Sequence, residues 1–366
     1  MKLVLFSDLH LDAGFAWLGP GDVARRRREA LRQALRRIVD LVRSESAAAL
    51  LCGGDLYEED RFTPDTAEFL RHTFLALYPT PVYLAPGNHD WYGPESLYRR
   101  IDWSENVHVF ASPALSPVEL EPGLTLWGAA HCVSAGTGNF LQDFRVGRSG
   151  IHLALFHGSE RSALREQGDD KLPHAPFDAE DIERAGLHHA FVGHYHMPRD
   201  AARHTYAGNP EPLAFGETGP RGAVVATIEA DGSVKRERHA VATTRVHDCT
   251  VDLTGCSNRQ QVLDRAVAAT AGASGVLRLT LAGELGREID LVPGDLASAL
   301  PGFEAVAVRI GALRCGYDLE ALEKLPDVRG QFVRDVRAAQ LAPEMQQRVL
   351  LTGLRALDRR SDLEVL

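Results

Sequence analysis

The chain has 366 residues, 45% of them hydrophobic, and a formal net charge of −10 at pH 7. Its length predicts a large buried core and two domains, since single cores rarely grow beyond about 250–300 residues. No stretch approaches about 18 uncharged apolar residues, which excludes an ordinary membrane-spanning helix. The negative charge repels nucleic acid overall, so DNA contact would need a local basic patch or metal ions.

The amino-terminus enters an apolar run at once, without a basic leader, so we expect a cytoplasmic protein with no membrane partner. The five cysteines form no Cys-x-x-Cys pair, and their number is odd. We therefore expect reduced, mostly structural cysteines and no zinc site built from thiolates.

Strands and helices alternate in the first part of the chain. Apolar runs and helical spacing predict, in order, strand 2–7, helix 22–43, strand 48–52, helix 64–77, strand 81–85, helix 94–101, and strands 107–110 and 124–129. Such alternation is typical of a largely parallel sheet with helices outside it.

The second part of the chain begins in the same way and then becomes antiparallel. Its predicted elements are strand 151–156, helix 178–184, strand 187–192, and short strands at 205–207, 222–228 and 235–240. Asp231-Gly232 is a strong hairpin signal. A boundary is predicted near 241–246, followed by a compact α+β unit of about 65 residues and then by helices.

Polar side chains follow five of the apolar runs. They are Asp8, His10, Asp55, Asn88, His89, His157, His194 and His196. In an open α/β sheet, ligands bind outside the carboxyl ends of the strands. Carboxylates, imidazoles and an amide suit Mn²⁺, Fe or Zn better than Ca²⁺ or Mg²⁺. One tetrahedral zinc site needs fewer donors, so two ions sharing a carboxylate fit better, with Asp55 as the best bridge.

A single histidine at a strand end is usually a surface residue, and the chain has 15 histidines. We expect the other ten to be surface or packing residues. They are His72, His108, His131, His152, His174, His188, His189, His204, His239 and His247.

The strand-end motifs resemble, in their order along the chain, those of the calcineurin-like metallophosphoesterase superfamily. They are Asp8-x-His10, Gly54-Asp55, Gly87-Asn88-His89-Asp90, His157 and Gly193-His194-x-His196. The stretches 7–11, 54–57 and 206–217 further resemble the SbcD branch, which comprises DNA repair exonuclease subunits. The resemblance implies an α/β fold with a core of two packed β-sheets flanked by helices.

The resemblance also implies a domain division and a role for each site residue. The phosphoesterase domain would span 1–243, a small α+β cap 244–316 and a helical C-terminal segment 317–366. The metal ligands would be Asp8, His10 and His196 for the first ion, Asn88, His157 and His194 for the second, and Asp55 as the bridge. His89 would act on the scissile phosphate. The ions would be Mn²⁺, with Fe, Zn or Mg²⁺ as alternatives.

One position departs from the family pattern. Some members carry a histidine three residues after the bridging aspartate, where it supports the catalytic histidine. This chain has Glu58 there. The sequence leaves open whether His89 is supported from elsewhere or not at all.

The leading functional hypothesis is a DNA exonuclease or endonuclease subunit that works with an SbcC-like SMC-type ATPase. A homodimer is a further assembly left open. The same metal set would serve a phosphoesterase acting on a small molecule or phosphoprotein, since fold does not fix substrate. A third hypothesis is a non-catalytic scaffold that binds DNA or a partner.

Two surfaces are candidate contacts with DNA and the ATPase. The predicted helix 22–43 is rich in arginine, for which a solvated face is the ordinary explanation. For DNA we choose Arg25, Arg28, Arg32 and Arg36, which share a face at i+3 and i+4 spacing. The helices of 319–366 either grip the ATPase or pack back on the cap.

Overall fold

The computed structural model describes residues 1–18, 22–167, 173–291 and 293–360. The chain forms two compact units, Met1–Thr244 and Arg245–Leu366. The sequence places the first boundary one residue earlier and separates 317–366 as a third part, whereas the structure groups those residues with the second unit. Within the described residues, no helix is long and apolar enough to cross a membrane.

The first unit alternates short strands with helices. Its strands are β1 (Lys2–Phe6), β2 (Ala49–Cys52), β3 (Val82–Leu84), β4 (Val107–Val109), β5 (Ser116–Glu121), β6 (Leu124–Gly128), β7 (Ile151–His157), β8 (His189–Gly193), β9 (Arg199–Asp200), β10 (His204–Tyr206), β11 (Gly222–Ile228) and β12 (Val234–Ala240). Its helices are α1 (Asp22–Ser44), α2 (Pro64–Leu75), α3 (Leu97–Arg100), α4 (Arg161–Gln167) and α5 (Ala179–Arg184), with a 3₁₀ turn at Ala16–Leu18. The sequence predicts neither β5, β9 nor α4.

These strands form two sheets that pack face to face. Their orders are β12-β11-β1-β2-β3-β4 and β5-β6-β7-β8-β10-β9. One apolar layer joins Leu5 and Leu51 of the first sheet to Leu126, Leu153 and Phe191 of the second. Burying these side chains between the sheets removes apolar surface from water, which is the main force holding such layers together.

Helices cover the outer faces of both sheets. Leu31 and Ile38, two turns apart on α1, pack with Phe6 of the first sheet. Ile182 of α5 packs with Phe156 of the second sheet. The predicted class, an α/β core of two packed sheets flanked by helices, is confirmed.

The second unit has its own sheet and core. Its strands are β13 (Val246–Asp252), β14 (Gly275–Gly286) and β15 (Phe303–Gly316), and its helices are α6 (Arg259–Ala269), α7 (Pro293–Ser298), α8 (Leu319–Glu323), α9 (Val328–Ala338) and α10 (Pro343–Leu357). The strands pair in the order β13-β14-β15, and both pairings are parallel. Parallel neighbours need crossover connections, which here carry α6 and α7.

The C-terminal helices pack on this unit. Leu351 of α10 lies in the same apolar cluster as Leu279 of β14 and Leu313 of β15. Tyr317 donates a hydrogen bond to Asp358 at 2.8 Å, which ties the end of the last strand to the end of α10. The sequence left two alternatives for these helices, docking an ATPase or packing back on the cap. The structure shows that they pack within the second unit.

Candidate metal centre

Strand direction brings the predicted site residues to one edge of the first unit. β1, β2 and β3 are parallel neighbours, and so are β7 and β8. Asp8, Asp55 and Asn88 follow the first three strands, while His157 ends β7 and His194 follows β8. Because the carboxyl ends of parallel strands meet at the same edge, loops far apart in sequence converge there.

Hydrogen bonds join these loops directly. The backbone N–H of Asp8 donates to the carbonyl oxygen of Gly54 at 2.9 Å, and that of His89 donates to Asp55 Oδ1 at 2.9 Å. Between the two sheets, the N–H of His194 donates to Asp8 Oδ1 at 3.0 Å. The centre is therefore a cross-linked set of loop ends.

Two glycines allow the loops to approach this closely. A Cβ atom at position 87 would collide with the carboxylate of Asp55, and one at position 193 would collide with the carbonyl oxygen of Gly53. Gly87 and Gly193 are thus required by space at the junction of the two sheets.

Four predicted ligands have backbone conformations that most residues avoid. The φ angles are 55° at Asp8, 49° at His10, 52° at Asp55 and 113° at His194. Such strain costs roughly 1–3 kcal/mol per residue and persists where surrounding structure fixes it. Its concentration at these positions supports a functional role for them.

The predicted bridging carboxylate lies between histidines of the two predicted metal sites. Asp55 Oδ2 is 3.6 Å from His10 Nε2 and 3.2 Å from His157 Nε2. Donor atoms of Asp8, His10 and His196 lie within 4.8 Å of one another, and so do those of Asp8, Asp55 and His157. The structure therefore brings the predicted ligands together, while the ligand set of each ion stays a prediction.

Unpaired buried atoms fit a metal centre. Among the described residues, His10 Nε2, His157 Nε2 and Asn88 Oδ1 are buried without a hydrogen-bond partner. Native structures rarely leave such atoms unpaired. Imidazole nitrogens and an amide oxygen beside two aspartates are a donor set for divalent ions such as Mn²⁺, Fe²⁺ or Zn²⁺.

The opposite ring nitrogens are held by hydrogen bonds, which fixes how the rings point. His157 Nδ1 donates to the carbonyl oxygen of Gly53 at 2.9 Å, and His196 Nδ1 pairs with Glu217 Oε1 at 2.6 Å. Metal-ligating histidines almost always use their second nitrogen in this way. His157 and His196 are thus oriented with Nε2 toward the centre.

The sequence left open which residue, if any, supports His89, and in the structure that residue is Glu58. Its Oε1 accepts a hydrogen bond from His10 Nδ1 at 2.8 Å, and its Oε2 accepts one from His89 Nδ1 at 3.1 Å. One carboxylate thus orients both a predicted metal ligand and the predicted catalytic histidine. This bond, with Asp55 adding to it, raises the pKa of His89 to about 9.

Asp55 and the histidines around it shift one another's pKa values. Burial raises the pKa of Asp55, but His157, His10 and His89 outweigh burial and hold that pKa well below its usual range. Burial also opposes the charge on His157, yet Asp55 outweighs it and raises the pKa of His157 to about 9. A proton and a metal ion therefore compete for His157.

Asp90 organises the loop that carries Asn88 and His89. Its carboxylate accepts hydrogen bonds from the N–H groups of Gly87 at 2.6 Å and Asp55 at 3.1 Å, and from the hydroxyl of Tyr98 at 2.5 Å. Burial, followed by the nearby Asp55 charge, raises the pKa of Asp90 to about 6. Asp90 thus positions the loop of the predicted ligands and, among the described residues, is in none of the groups that could hold a metal ion.

The 209–217 loop supports His196. Besides holding His196, Glu217 accepts hydrogen bonds from Asn209 Nδ2 and the N–H of Leu213, both at 2.6 Å. Sequence reasoning used this stretch only as a family resemblance and missed Glu217 as a positioning residue. No sequence pattern pointed to Glu217, because only the fold of the loop brings it to a histidine 21 positions away.

A buried ion pair anchors the same loop. Arg27 Nη1 donates to Glu211 Oε1 at 2.7 Å, and both side chains are fully buried. Glu211 also accepts from the N–H of Thr243 at 2.6 Å and of Thr244 at 3.1 Å. One arginine of the basic run thus has a structural role that its charge did not reveal.

The predicted DNA-contacting arginines lie on α1, and three of them are ion-paired. The pairs are Arg25 with Asp22 at 3.2 Å, Arg32 with Asp65 at 2.5 Å, and Arg36 with Glu29 at 2.7 Å. Arg28 is half-buried on the same helix. These pairs are what a solvated helix face would contain, and DNA binding there stays a prediction.

A family comparison agrees with this centre, since a family model described as calcineurin-like phosphoesterase matches residues 1–198. YhaO of Bacillus subtilis (strain 168), described as an uncharacterized metallophosphoesterase, is 27% identical over 267 residues, which span 69% of this chain and 63% of YhaO. The crystal structure of TT1561 of Thermus thermophilus matches 65% of this chain and 98% of that chain, with 12% identity and a TM-score of 0.35.

Proposed function

This chain belongs to the calcineurin-like phosphoesterase family, and on that premise we propose that it is an SbcD-like nuclease subunit that hydrolyses phosphodiester bonds in DNA. Metal-dependent hydrolysis of phosphoesters, with two divalent metal ions, is what family membership implies. The proposal adds DNA as the substrate, Mn²⁺ as the preferred ion and DNA end processing as the role.

The exposure of the centre supports a polymeric substrate. The side chains of His10, Asp55 and His157 are at most 4% exposed, whereas His89 is 48% exposed and His196 is 33% exposed. His89, the proposed catalytic residue, thus lies on an open face, while the proposed ligands His10, Asp55 and His157 are buried. Small-molecule sites usually enclose most of the ligand surface, so an open face better suits a strand lying across it. This observation carries the proposal.

The residues of the chain supply positioning and a proton. When bound, two divalent ions supply charge stabilisation of the phosphate oxygens and a nucleophile at neutral pH. Glu58 keeps His89 protonated at neutral pH, since the pKa of His89 is raised to about 9. A protonated His89 can donate its proton to the leaving oxygen or stabilise negative charge on the phosphate.

DNA binding by this acidic chain would use the Arg25, Arg28, Arg32 and Arg36 face of α1 together with the metal ions. Backbone phosphates would have to replace Asp22, Asp65 and Glu29 as partners of these arginines. Such an exchange releases counterions and makes binding depend on salt.

A partner ATPase would dock on the C-terminal helices. Exposed apolar side chains support this proposal, with Val328 72%, Met345 51% and Leu341 39% exposed. An SbcC-like SMC-type ATPase could present a coiled-coil base to such a surface, since helix faces commonly dock in this way. A homodimer through the same surface is the competing outcome.

One comparison of substrates tests the function. The purified chain, loaded with Mn²⁺, is assayed on supercoiled plasmid, end-labelled duplex DNA, bis-p-nitrophenyl phosphate and p-nitrophenyl phosphate. The proposal predicts cleavage of both DNA substrates and of the small diester, and loss of all three activities in His89→Ala. Hydrolysis of the small esters without any DNA cleavage would instead assign a small-molecule or phosphoprotein substrate. Stable metal binding with no hydrolysis of any substrate would instead support the non-catalytic scaffold.

The partner proposal needs a separate test. Because Leu351 is part of the second unit's core, truncating the tail would uncover that core, so surface substitutions are cleaner. Val328→Asp with Met345→Asp should abolish co-purification with a co-expressed SbcC-like ATPase. Val267→Asp, at a position 46% exposed on α6, is the matched control and should retain it. Equal binding by all variants would place the docking site elsewhere.

A further inference from the structure

His174 lies beside the histidines of the second metal site, although no sequence pattern singles it out. Its ring centroid is 5.5 Å from that of His194 and 6.2 Å from that of His131. His157 and His194 are 5.2 Å apart. The four imidazoles form one cluster at this end of the centre, where the sequence predicts no role for His131 or His174 beyond surface or packing positions.

His131 has an evident role in this cluster, and His174 does not. His131 is fully buried, and its Nε2 pairs with the carbonyl oxygen of His157 at 2.8 Å, so it supports the strand end that carries a predicted ligand. His174 is half-buried, and its Nδ1 is buried without a hydrogen-bond partner among the described residues. Native structures rarely leave such an atom unpaired, so the ring calls for an explanation.

The position of His174 is fixed by the metal-site segment itself. The N–H of Ser159 donates to the carbonyl oxygen of His174 at 2.8 Å, and the N–H of His174 donates back to Ser159 Oγ at 3.1 Å. The next residue is also held, since the N–H of Ala175 donates to the carbonyl oxygen of Thr137 at 3.0 Å. Ser159 follows the predicted ligand His157 by two residues, so His174 is carried by the same framework as the ligand.

The rings of His174 and His89 lie beside predicted ligands of different ions. The His89 ring is 4.8 Å from His10, a predicted ligand of the first ion, whereas the His174 ring is near His194, a predicted ligand of the second. A phosphodiester bound at the two ions would therefore have His89 near the first ion and His174 near the second. An imidazole at this place can donate or accept a hydrogen bond.

We propose that His174 is a substrate-contacting residue that hydrogen-bonds the phosphodiester at the second-ion end of the centre. The inference rests on the phosphodiester hydrolysis proposed above. A further metal ligand is less fitting, because Asn88, His157, His194 and the bridging Asp55 already give the second ion four donors. Catalytic metal sites keep a position open for water or substrate.

The test uses three substitutions in the full chain. His174→Phe keeps a ring of similar shape without polar atoms, His174→Ala removes the ring, and His174→Gln restores a donor and an acceptor. The control is His108→Ala, at an exposed position on β4. Each variant is measured for metal content, for melting temperature, and for kcat and KM on both bis-p-nitrophenyl phosphate and duplex DNA with Mn²⁺.

A lost hydrogen bond to a charged phosphate predicts a KM increase of roughly 10- to 100-fold in His174→Phe and His174→Ala. Metal content and melting temperature should match the wild type, His174→Gln should recover much of the loss, and His108→Ala should be unchanged. Lower metal content in both variants would overturn the proposal and make His174 a ligand. An unchanged KM in His174→Phe would overturn it by making the ring a bystander. Failure of the wild type on DNA alone would refute the proposed substrate, while the small diester would still test His174.

Discussion

Replacing Glu58 by glutamine tests how the centre keeps His89, the predicted catalytic histidine, protonated. The Glu58 carboxylate accepts hydrogen bonds from His10 at 2.8 Å and from His89 at 3.1 Å. Glutamine keeps the size of the side chain but offers one acceptor and one donor, so only one ring can keep its bond. The pKa of His89, about 9 in the structure, then moves toward the ordinary value of about 6.5.

The size of the effect follows from the protonated fraction of His89. At pH 7.5 this fraction falls from about 97% to about 9% when the pKa moves from about 9 to about 6.5. Since the His89 side chain is 48% exposed, solvent screens part of the change, and we expect a ~3- to 10-fold loss of kcat at pH 7.5. Protonated His89 is lost as pH rises, so the variant should approach wild-type activity below pH ~6.

The assay is the pH dependence of kcat on bis-p-nitrophenyl phosphate at saturating Mn²⁺, with metal content measured at each pH. The alkaline limb of the profile should move to lower pH in Glu58→Gln. Glu59→Gln is the matched control, because that carboxylate pairs with the Tyr57 hydroxyl at 2.7 Å, and its profile should be that of the wild type. An alkaline limb at the same pH in Glu58→Gln, with metal content intact, would refute the reasoning.

Three further predictions follow from the site. His89→Ala should retain metal and DNA binding but lose roughly 10²–10⁴-fold in kcat, whereas loss of metal on elemental analysis would make His89 a ligand. Because the pKa of His157 is raised to about 9, metal binding must displace a proton. Apparent affinity by calorimetry should therefore fall by up to about tenfold for each pH unit below 9, and a pH-independent affinity would contradict this. Arg32→Gln with Arg36→Gln should lower the slope of log affinity for DNA against log salt concentration by about 0.9 per lost phosphate contact. An unchanged slope would mean that this face of α1 is solvated and does not contact DNA.

The succession of strands and helices along the chain, and the polar residues at the strand ends, could largely be predicted from sequence because both depend on local patterns. Apolar runs that end in Asp8, Asp55 and Asn88 are short, buried and separated by helices, and the parallel arrangement follows from that alternation. The convergence of their ends is then a property of the sheet. The sequence could therefore predict where the centre lies before any distance was known.

The supporting residues depend on contacts between distant segments and could not be predicted in the same way. The family resemblance marks the position of Glu58, but only the fold shows that its carboxylate lies between His10 and His89. His174 precedes a short helix, and only the packing of its loop on Ser159 brings it to the centre. In both cases the sequence shows the type of residue but not which distant residues lie beside it in the fold.

The arginine-rich helix α1 shows a second limit of sequence reasoning. Its charge pattern suggested a surface for DNA, but a charge pattern does not reveal which carboxylates from other segments lie opposite. Asp65 of α2 pairs with Arg32, and the buried Glu211 pairs with Arg27. The same run of arginines therefore contains a structural ion pair and surface pairs that sequence reasoning could not separate.

The most direct test of the two-ion centre bridged by Asp55 is the metal stoichiometry of Asp55→Ala against the wild type. Both proteins are loaded with Mn²⁺ and desalted, and bound metal is measured by elemental analysis beside hydrolysis of bis-p-nitrophenyl phosphate. Because Asp55 Oδ2 lies between His10 and His157, its removal should weaken both sites at once. We predict two ions per chain in the wild type and loss of both bound metal and activity in the variant. Two ions and retained activity in Asp55→Ala would contradict the account.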